Sequence, residues 1–235
     1  MPKSLSDVVL PMSSKTSHVV FDLDDTLYSE LAYVHSAFEF VGQLVAQAYG
    51  DQDAAAHLRK LSAAGDKNPI QTYWSEQFLP IVAMADCVSC MRGHRPNIAL
   101  REGAQELLLC LGSRGIQWSI LTDGRSITQR QKISALSLRE IASAIYISQE
   151  RDVSKPDPAA YMQIERDFPD VERFFYVADN PAKDFVSPND LGWVTIMLRD
   201  NGNNTHRQDL ELPNIMQAHF TIETLMQVLE IMEKA

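Results

Sequence analysis

Four short stretches of the chain hold residues that can do chemistry together: Phe21-Asp22-Leu23-Asp24-Asp25-Thr26, Leu121-Thr122-Asp123-Gly124, Lys155-Pro156, and Val177-Ala178-Asp179-Asn180-Pro181-Ala182-Lys183-Asp184. Between them they carry every group needed to move a phosphoryl unit onto a carboxylate. Asp22 and Asp24 are two residues apart, so on an extended backbone both carboxylates point to one side while Leu23 points into the core. Two acids on one face repel unless a cation lies between them or one keeps a proton. Mg²⁺, a hard ion preferring oxygen, suits Asp22 and Asp179 with waters and phosphate oxygens completing its shell, leaving Asp24 to carry a proton to a leaving group. The plain alternative is a solvated acidic turn in which Thr26 caps a helix. Asp51-Gln52-Asp53 has the same spacing without an apolar lead-in, and helix N-capping is the reading there.

Three of the four stretches follow apolar, strand-like runs: His18 to Phe21, Gly115 to Leu121 and Phe174 to Ala178. From Gly115 onward such runs alternate with amphipathic segments: Ile116 to Leu121, helix near Ser126 to Ser137, Ala144 to Ile147, helix near Asp157 to Asp167, Phe174 to Ala178, helix near Ala182 to Leu191, and Val194 to Leu198. This pattern predicts βαβ crossovers in a buried parallel sheet, with a helix near Glu102 to Ser113 and a closing helix at Glu223 to Lys234. Ligands of such sheets bind at the carboxyl ends of the strands, where Asp22, Asp24, Thr122 and Asp179 fall.

After Leu27 come about seventy residues without a convincing strand, far more than a βα connection needs. Val34, Phe38, Val41, Leu44, Val45 and Ala48 recur at helical spacing, as do Trp74, Phe78, Ile81, Val82 and Ala85. The expectation is an α/β protein: a Rossmann-like parallel sheet core over 18–27 and 99–235, a small inserted helical domain over 28–98, and a flexible tail over 1–17.

Composition narrows the function classes. At 235 residues and 45% hydrophobic, the chain can bury a core. Its formal charge of −10, with no cationic cluster beyond Arg125 to Lys132, argues against nucleic acid or an anionic membrane as partner. No run is long enough for a signal peptide or a membrane span, so a cytoplasmic protein, monomer or homodimer, is expected. Cys87, Cys90 and Cys110 do not make a disulfide framework. Cys87 and Cys90, followed by His94, have zinc-like spacing, but zinc needs four ligands and no second pair exists. They fall in a helical pattern running from Tyr73 to Met91 and are read as packed thiols.

The four motifs, in this order, resemble those of the haloacid dehalogenase superfamily of aspartate-nucleophile phosphohydrolases, over about Val19 to Leu198. The resemblance implies that Asp22 is the nucleophile, forming an aspartyl-phosphate, and that Asp24 is the general acid and then the base that activates water. Dehalogenases of the family lack this second acid, which favours phosphate chemistry. It implies Thr122, with the backbone N–H groups of Asp123 and Gly124, as ligands of the phosphoryl oxygens, and Lys155 in its Lys-Pro-Asp-Pro run as the neutralising cation. Asp22, Asp179 and the backbone carbonyl of Asp24 would hold Mg²⁺, and Asp184 would act from the outer shell on Lys155 or a metal-bound water. Ala178 departs from the family's usual Gly and adds a methyl at the strand end.

The helices over 28–98 resemble the family's cap of the first insertion type. Tyr28, Ser29, Glu30 and Tyr33 near its start, Arg92, His94 and Arg95 near its end, and Arg125 beyond the phosphate turn are candidate substrate contacts. The implied activity is Mg-dependent hydrolysis of a small phosphomonoester; the Leu27-Tyr28 pair resembles nucleotide and sugar phosphatases and suggests a nucleoside monophosphate or sugar phosphate. A phosphomutase, or a catalytically idle binding or regulatory module, are the alternatives.

Overall fold

A computed structural model describes residues 16–208 and 211–235. In chain order the elements are β1 (Ser17–Phe21), α1 (Glu30–Tyr49), α2 (Ala54–Ala63), α3 (Pro69–Glu76), α4 (Ile81–Arg92), α5 (Ala104–Ser113), β2 (Gln117–Thr122), α6 (Ser126–Ala135), β3 (Ala144–Ile147), α7 (Ser148–Arg151), α8 (Pro158–Asp167), β4 (Arg173–Ala178), α9 (Val186–Asp190), β5 (Val194–Leu198), β6 (Phe220–Ile222) and α10 (Gln227–Lys234).

Six parallel strands form one sheet in the order β3-β2-β1-β4-β5-β6. The two-residue period of the strands divides the core into two layers. Val19, Phe21, Phe175 and Val177 face one layer with Leu107, Leu111 and Val228; Val20, Phe174, Tyr176 and Ala178 face the other with Tyr161, Ile164 and Trp193. Helices α1 to α4, between β1 and α5, bury a third cluster of their own, built on Phe38, Val41, Val45, Leu58, Tyr73, Trp74 and Cys87.

Several expected boundaries move. The helical pattern from Tyr73 to Met91 is two helices, because Pro80 has no N–H to donate and disfavours a helical Leu79. Phe78 turns the chain at φ 52°, and the Leu79 N–H closes back onto Trp74 O at 3.0 Å. Cys87 is buried, its thiol pushed up to about 11 chiefly by burial, while Cys90 is exposed. Asp53 precedes α2, but no side-chain cap forms there; Asp51 instead accepts from the Asp53 N–H at 2.8 Å and from the Tyr73 hydroxyl at 2.6 Å. The closing helix starts at Gln227 because the Gln227 Oε1 accepts the N–H groups of Glu223 and Thr224, holding them in a turn. The segment expected as a helix from Ala182 is helical only from Val186, its first residues being occupied at the carboxyl edge of the sheet. β6 is an unexpected short edge strand. Of the tail expected over 1–17, residues 1–15 lie outside the described residues and Ser17 already belongs to β1.

One buried polar residue ties the sheet to pH. His18 is fully enclosed, with Nε2 2.8 Å from Ser119 Oγ, its ring against Phe168, and no partner for Nδ1 among the described residues. Burial lowers its pKa to about 4. The unfolded chain therefore binds this proton first as pH falls, so the stability held by neutral His18 is complete above about 6.5 and drains away between there and about 4, roughly 3 kcal/mol in all. Urea unfolding across that range is expected to show the loss, and His18→Gln to flatten it. An equally steep decline in the variant would assign the limb to other groups.

Candidate active site

The site forms where β1, β2 and β4 end. β1 hands over to Asp22 without a break, the Asp22 N–H continuing the ladder to Val177 O at 2.9 Å. Leu23 is fully buried, and Asp22 and Asp24 line one cavity of about 90 Å³ with Asp25, Glu30, Asp123, Asp179, Asn180, Lys183 and His206.

Lys155 is the cation at its centre. Its side chain is inaccessible to solvent, with Nζ 2.6 Å from Asp22 Oδ1, 2.7 Å from Asp184 Oδ1 and 3.1 Å from the Tyr176 hydroxyl. Burial acts to lower its pKa, but the Asp184 and Asp22 carboxylates hold it well above the ordinary value. Asp184 also accepts from the Tyr176 hydroxyl at 3.0 Å and the Asn180 N–H at 3.1 Å, so its carboxylate is committed to holding Lys155 and the turn after β4.

Asp22 and Asp179 are short of positive charge. Burial raises Asp22 to about 6 against the pull of Lys155. Burial, then repulsion from Asp22 and Asp184, raises Asp179 to about 8. Asp22, Asp179 and Asp184 each offer a carboxylate oxygen within 4.8 Å of the others. Both oxygens of Asp184 are taken by Lys155, Tyr176 and Asn180, whereas Lys155 takes only Oδ1 of Asp22 and Asn204 only Oδ2 of Asp179, among the described residues, so each of these two keeps an oxygen for a metal. This all-oxygen donor set, buried and deficient in cation, fits a hard divalent ion.

Asp24 lies in a different environment. Its Oδ1 takes Lys132 Nζ at 2.6 Å and the Tyr28 hydroxyl, and its Oδ2 takes Gln129 Nε2 at 2.8 Å. Burial alone would raise its pKa, but Lys132, Tyr28 and Gln129 outweigh it and the carboxyl is held below its ordinary value. Two carboxylates two residues apart thus have separate supports, Lys155 for one and Lys132 for the other.

The Thr122 hydroxyl, at the end of β2, accepts from Gln129 Nε2 at 2.6 Å, so Gln129 bridges it to Asp24. Asp123 Oδ1 accepts the Lys155 N–H at 3.2 Å. Gly124 has φ 143°, in the region that favours glycine, and an added Cβ would meet Gln129 at 3.1 Å. Its N–H donates to Ser148 Oγ at 2.9 Å and is not free for a phosphoryl oxygen in this arrangement.

Of the candidate substrate contacts Glu30 lines the cavity, whereas Tyr28, Ser29, Tyr33, Arg92, His94, Arg95 and Arg125 do not. His94 is buried in the helical segment, bonded to Ser36 and to Met91 O, and stacked on Phe40. The Arg92 carbonyl accepts from Thr128 at 3.3 Å, and Arg125 is exposed at the start of α6.

Sequence reasoning missed a second set. Gln129 and Lys132, one turn apart on α6, are buried, although the run Arg125 to Lys132 reads as a charged surface. The loop after β5 bears no motif, yet Asn204 Nδ2 reaches Asp179 Oδ2 at 2.9 Å, Gln208 Nε2 reaches Asp179 O at 2.8 Å, and the Thr205 N–H reaches Asp25 Oδ2 at 2.7 Å. Asp25, at φ 55°, also accepts the Glu30 N–H and Arg101, joining β1, α1 and this loop.

A family model described as haloacid dehalogenase-like hydrolase matches residues 16–186. The glyceraldehyde 3-phosphate phosphatase of Pyrococcus furiosus is 30% identical over 138 residues, 57% of this chain and 56% of that protein, so the match spans little more than half of that relative's length. A protein of the same name from Methanocaldococcus jannaschii is 22% identical over 225 residues, 92% of this chain and 96% of its own. Among solved structures, a HAD-superfamily hydrolase of subfamily IA from Geobacter sulfurreducens aligns with a TM-score of 0.64 at 16% identity, covering 94% of this chain and 99% of the other. YfnB from Bacillus subtilis, described as a HAD-hydrolase and solved bound to magnesium, aligns with a TM-score of 0.61 at 15% identity over 93% and 99%. At these identities the structural likeness is one of fold.

Proposed function

The chain belongs to the haloacid dehalogenase-like hydrolases, and on that premise we propose that it is a Mg²⁺-dependent phosphatase acting on small phosphomonoesters through an aspartyl-phosphate on Asp22. The observation that carries this reading is the separate support of the two acids: Asp22 faces Lys155 and Asp24 faces Lys132, 2.6 Å in each case.

Asp22 Oδ2, whose hydrogen bond among the described residues is a long one from the Thr26 hydroxyl at 3.3 Å, is the oxygen that would attack phosphorus. Lys155 orients Asp22 through Oδ1 and offsets charge on the transferring group. Thr122 binds a phosphoryl oxygen through its hydroxyl once Gln129 yields it. Asp24, whose carboxyl burial would raise but Lys132 holds below its ordinary value in this arrangement, takes up a proton when Lys132 releases the carboxylate, delivers that proton to the departing oxygen and then removes one from the water that hydrolyses the acyl phosphate. Asp22, Asp179 and the Asp24 carbonyl would hold the metal, whose chemistry is to neutralise phosphoryl oxygens and orient the ester for in-line attack. Asp184 acts through Lys155.

Glu30, the first residue of α1, lines the same cavity as Asp22 and Asp24. The leaving group therefore meets the α1 side, and the names of the two relatives make a triose phosphate the first substrate to try. Phosphate release across a panel of sugar phosphates and nucleoside monophosphates tests the class, and failure on every phosphomonoester would overturn it. Exhaustive chelation is expected to abolish turnover, with Mg²⁺ restoring it and Ca²⁺ binding without doing so, since Ca²⁺ accepts looser, higher coordination. Full activity after chelation would show that Asp22 and Asp179 do not work through a metal.

A further inference from the structure

Glu30 is a carboxylate at the cavity that the steps above do not use. It is the first residue of α1, half-buried, and its backbone N–H is fixed to Asp25 Oδ1 at 2.9 Å. Its side chain lines the cavity together with Asp24 and Asp25. Burial, then Asp24, raises its pKa.

The nearby cations are already engaged. Lys132 Nζ holds Asp24 at 2.6 Å and lies over the Tyr33 ring at 4.4 Å, and Arg101 is held by Asp25 at 3.4 Å and Asn204 at 2.9 Å. Lys183, on the rim, lies 3.8 Å from Asp123 and exerts its pull on Asp22, the phosphoryl side. Among the described residues that line the cavity the basic groups are Lys183 and His206, and neither is among the main charges acting on Glu30, which are Asp24, Lys132 and Asp25, so a second anionic group on the α1 side meets the Glu30 carboxylate.

We infer that Glu30 determines specificity by charge: the site takes phosphomonoesters whose leaving group is uncharged or cationic and rejects those bearing a second anion. Like charges brought together in a partly desolvated cleft are strongly unfavourable, and rejection of that kind is a common source of selectivity. The inference rests on the phosphatase reading and sharpens its substrate class.

The test compares kcat/KM for three esters of similar size: glycolaldehyde phosphate (uncharged leaving group), phosphoethanolamine (cationic) and phosphoglycolate (anionic). Acetyl phosphate serves as a check that the wild type is active. Wild type is expected to prefer the first two over phosphoglycolate by about 10-fold or more, a ratio equivalent to one decade of discrimination. Glu30→Gln, which keeps the size of the side chain and removes its charge, is expected to raise the phosphoglycolate to glycolaldehyde phosphate ratio about 10-fold, mainly through KM, and Glu30→Asp to restore part of the preference. Turnover of acetyl phosphate with a charge-blind wild type, or a ratio unchanged in Glu30→Gln, would overturn the inference and leave the phosphatase reading standing. Turnover of none of the four compounds would overturn both.

Discussion

Asp22→Asn is expected to fold, to keep its place at the end of β1 and to lose turnover by about 10⁴-fold or more, the scale on which removal of a covalent nucleophile acts. The amide is nearly the same size as the acid, and the Asp22 N–H bond to Val177 O is a backbone contact that the change does not touch. What disappears is the anionic oxygen and its pairing with Lys155. Lys155 keeps Asp184 at 2.7 Å, so the buried cation retains a counter-charge and the fold should tolerate the change. The measurement is kcat with a triose phosphate and with p-nitrophenyl phosphate, alongside circular dichroism. A folded variant with more than a few per cent of wild-type kcat would end the nucleophile assignment.

Asp24→Asn is expected to cost about 10²–10⁴-fold with a sugar phosphate, the usual worth of general acid–base help, and much less with p-nitrophenyl phosphate, whose leaving group departs without a proton. The contrast matters because Asp24 also anchors Lys132, Gln129 and Tyr28. Removing its charge leaves Lys132, 3% exposed, without its carboxylate, and a disturbed α6 would also displace Thr122 through Gln129. Such a disturbance would lower both substrates alike. Equal losses would therefore reassign Asp24 from proton transfer to scaffolding.

Much of this site was legible because its residues follow strands. Each apolar run ends at a sheet edge, so the position of Asp22, Thr122 and Asp179 follows from alternation and from where the runs stop. β4 lies beside β1, which brings Asp184 to Asp22, but Lys155 comes from the turn between α7 and α8 and its pairing with them was implied by the family resemblance alone. The supporting shell was not legible. Gln129 and Lys132 are hydrophilic residues on a short helix that reads as surface, and only the tertiary fold turns that face onto Asp24. Asn204, Thr205 and Gln208 belong to a loop after β5 whose polar composition carries no periodicity. His94 misled for the opposite reason: a histidine near arginines resembles an anion site, whereas stacking on Phe40 and bonding to Ser36 make it part of the packing under α1.

The central claim is that phosphate passes through a covalent bond to Asp22. Acid-quenched single turnover with ³²P-labelled acetyl phosphate, with a parallel quenched sample reduced by tritiated borohydride, which expels the phosphate and leaves a tritiated homoserine for peptide mapping, tests it most directly. The expected result is ³²P on the protein that appears before product and is lost on the time scale of turnover, and tritium at position 22 in the peptide containing Val19 to Leu27. Product formed at the full rate with no labelled protein, or label on another residue, would contradict it.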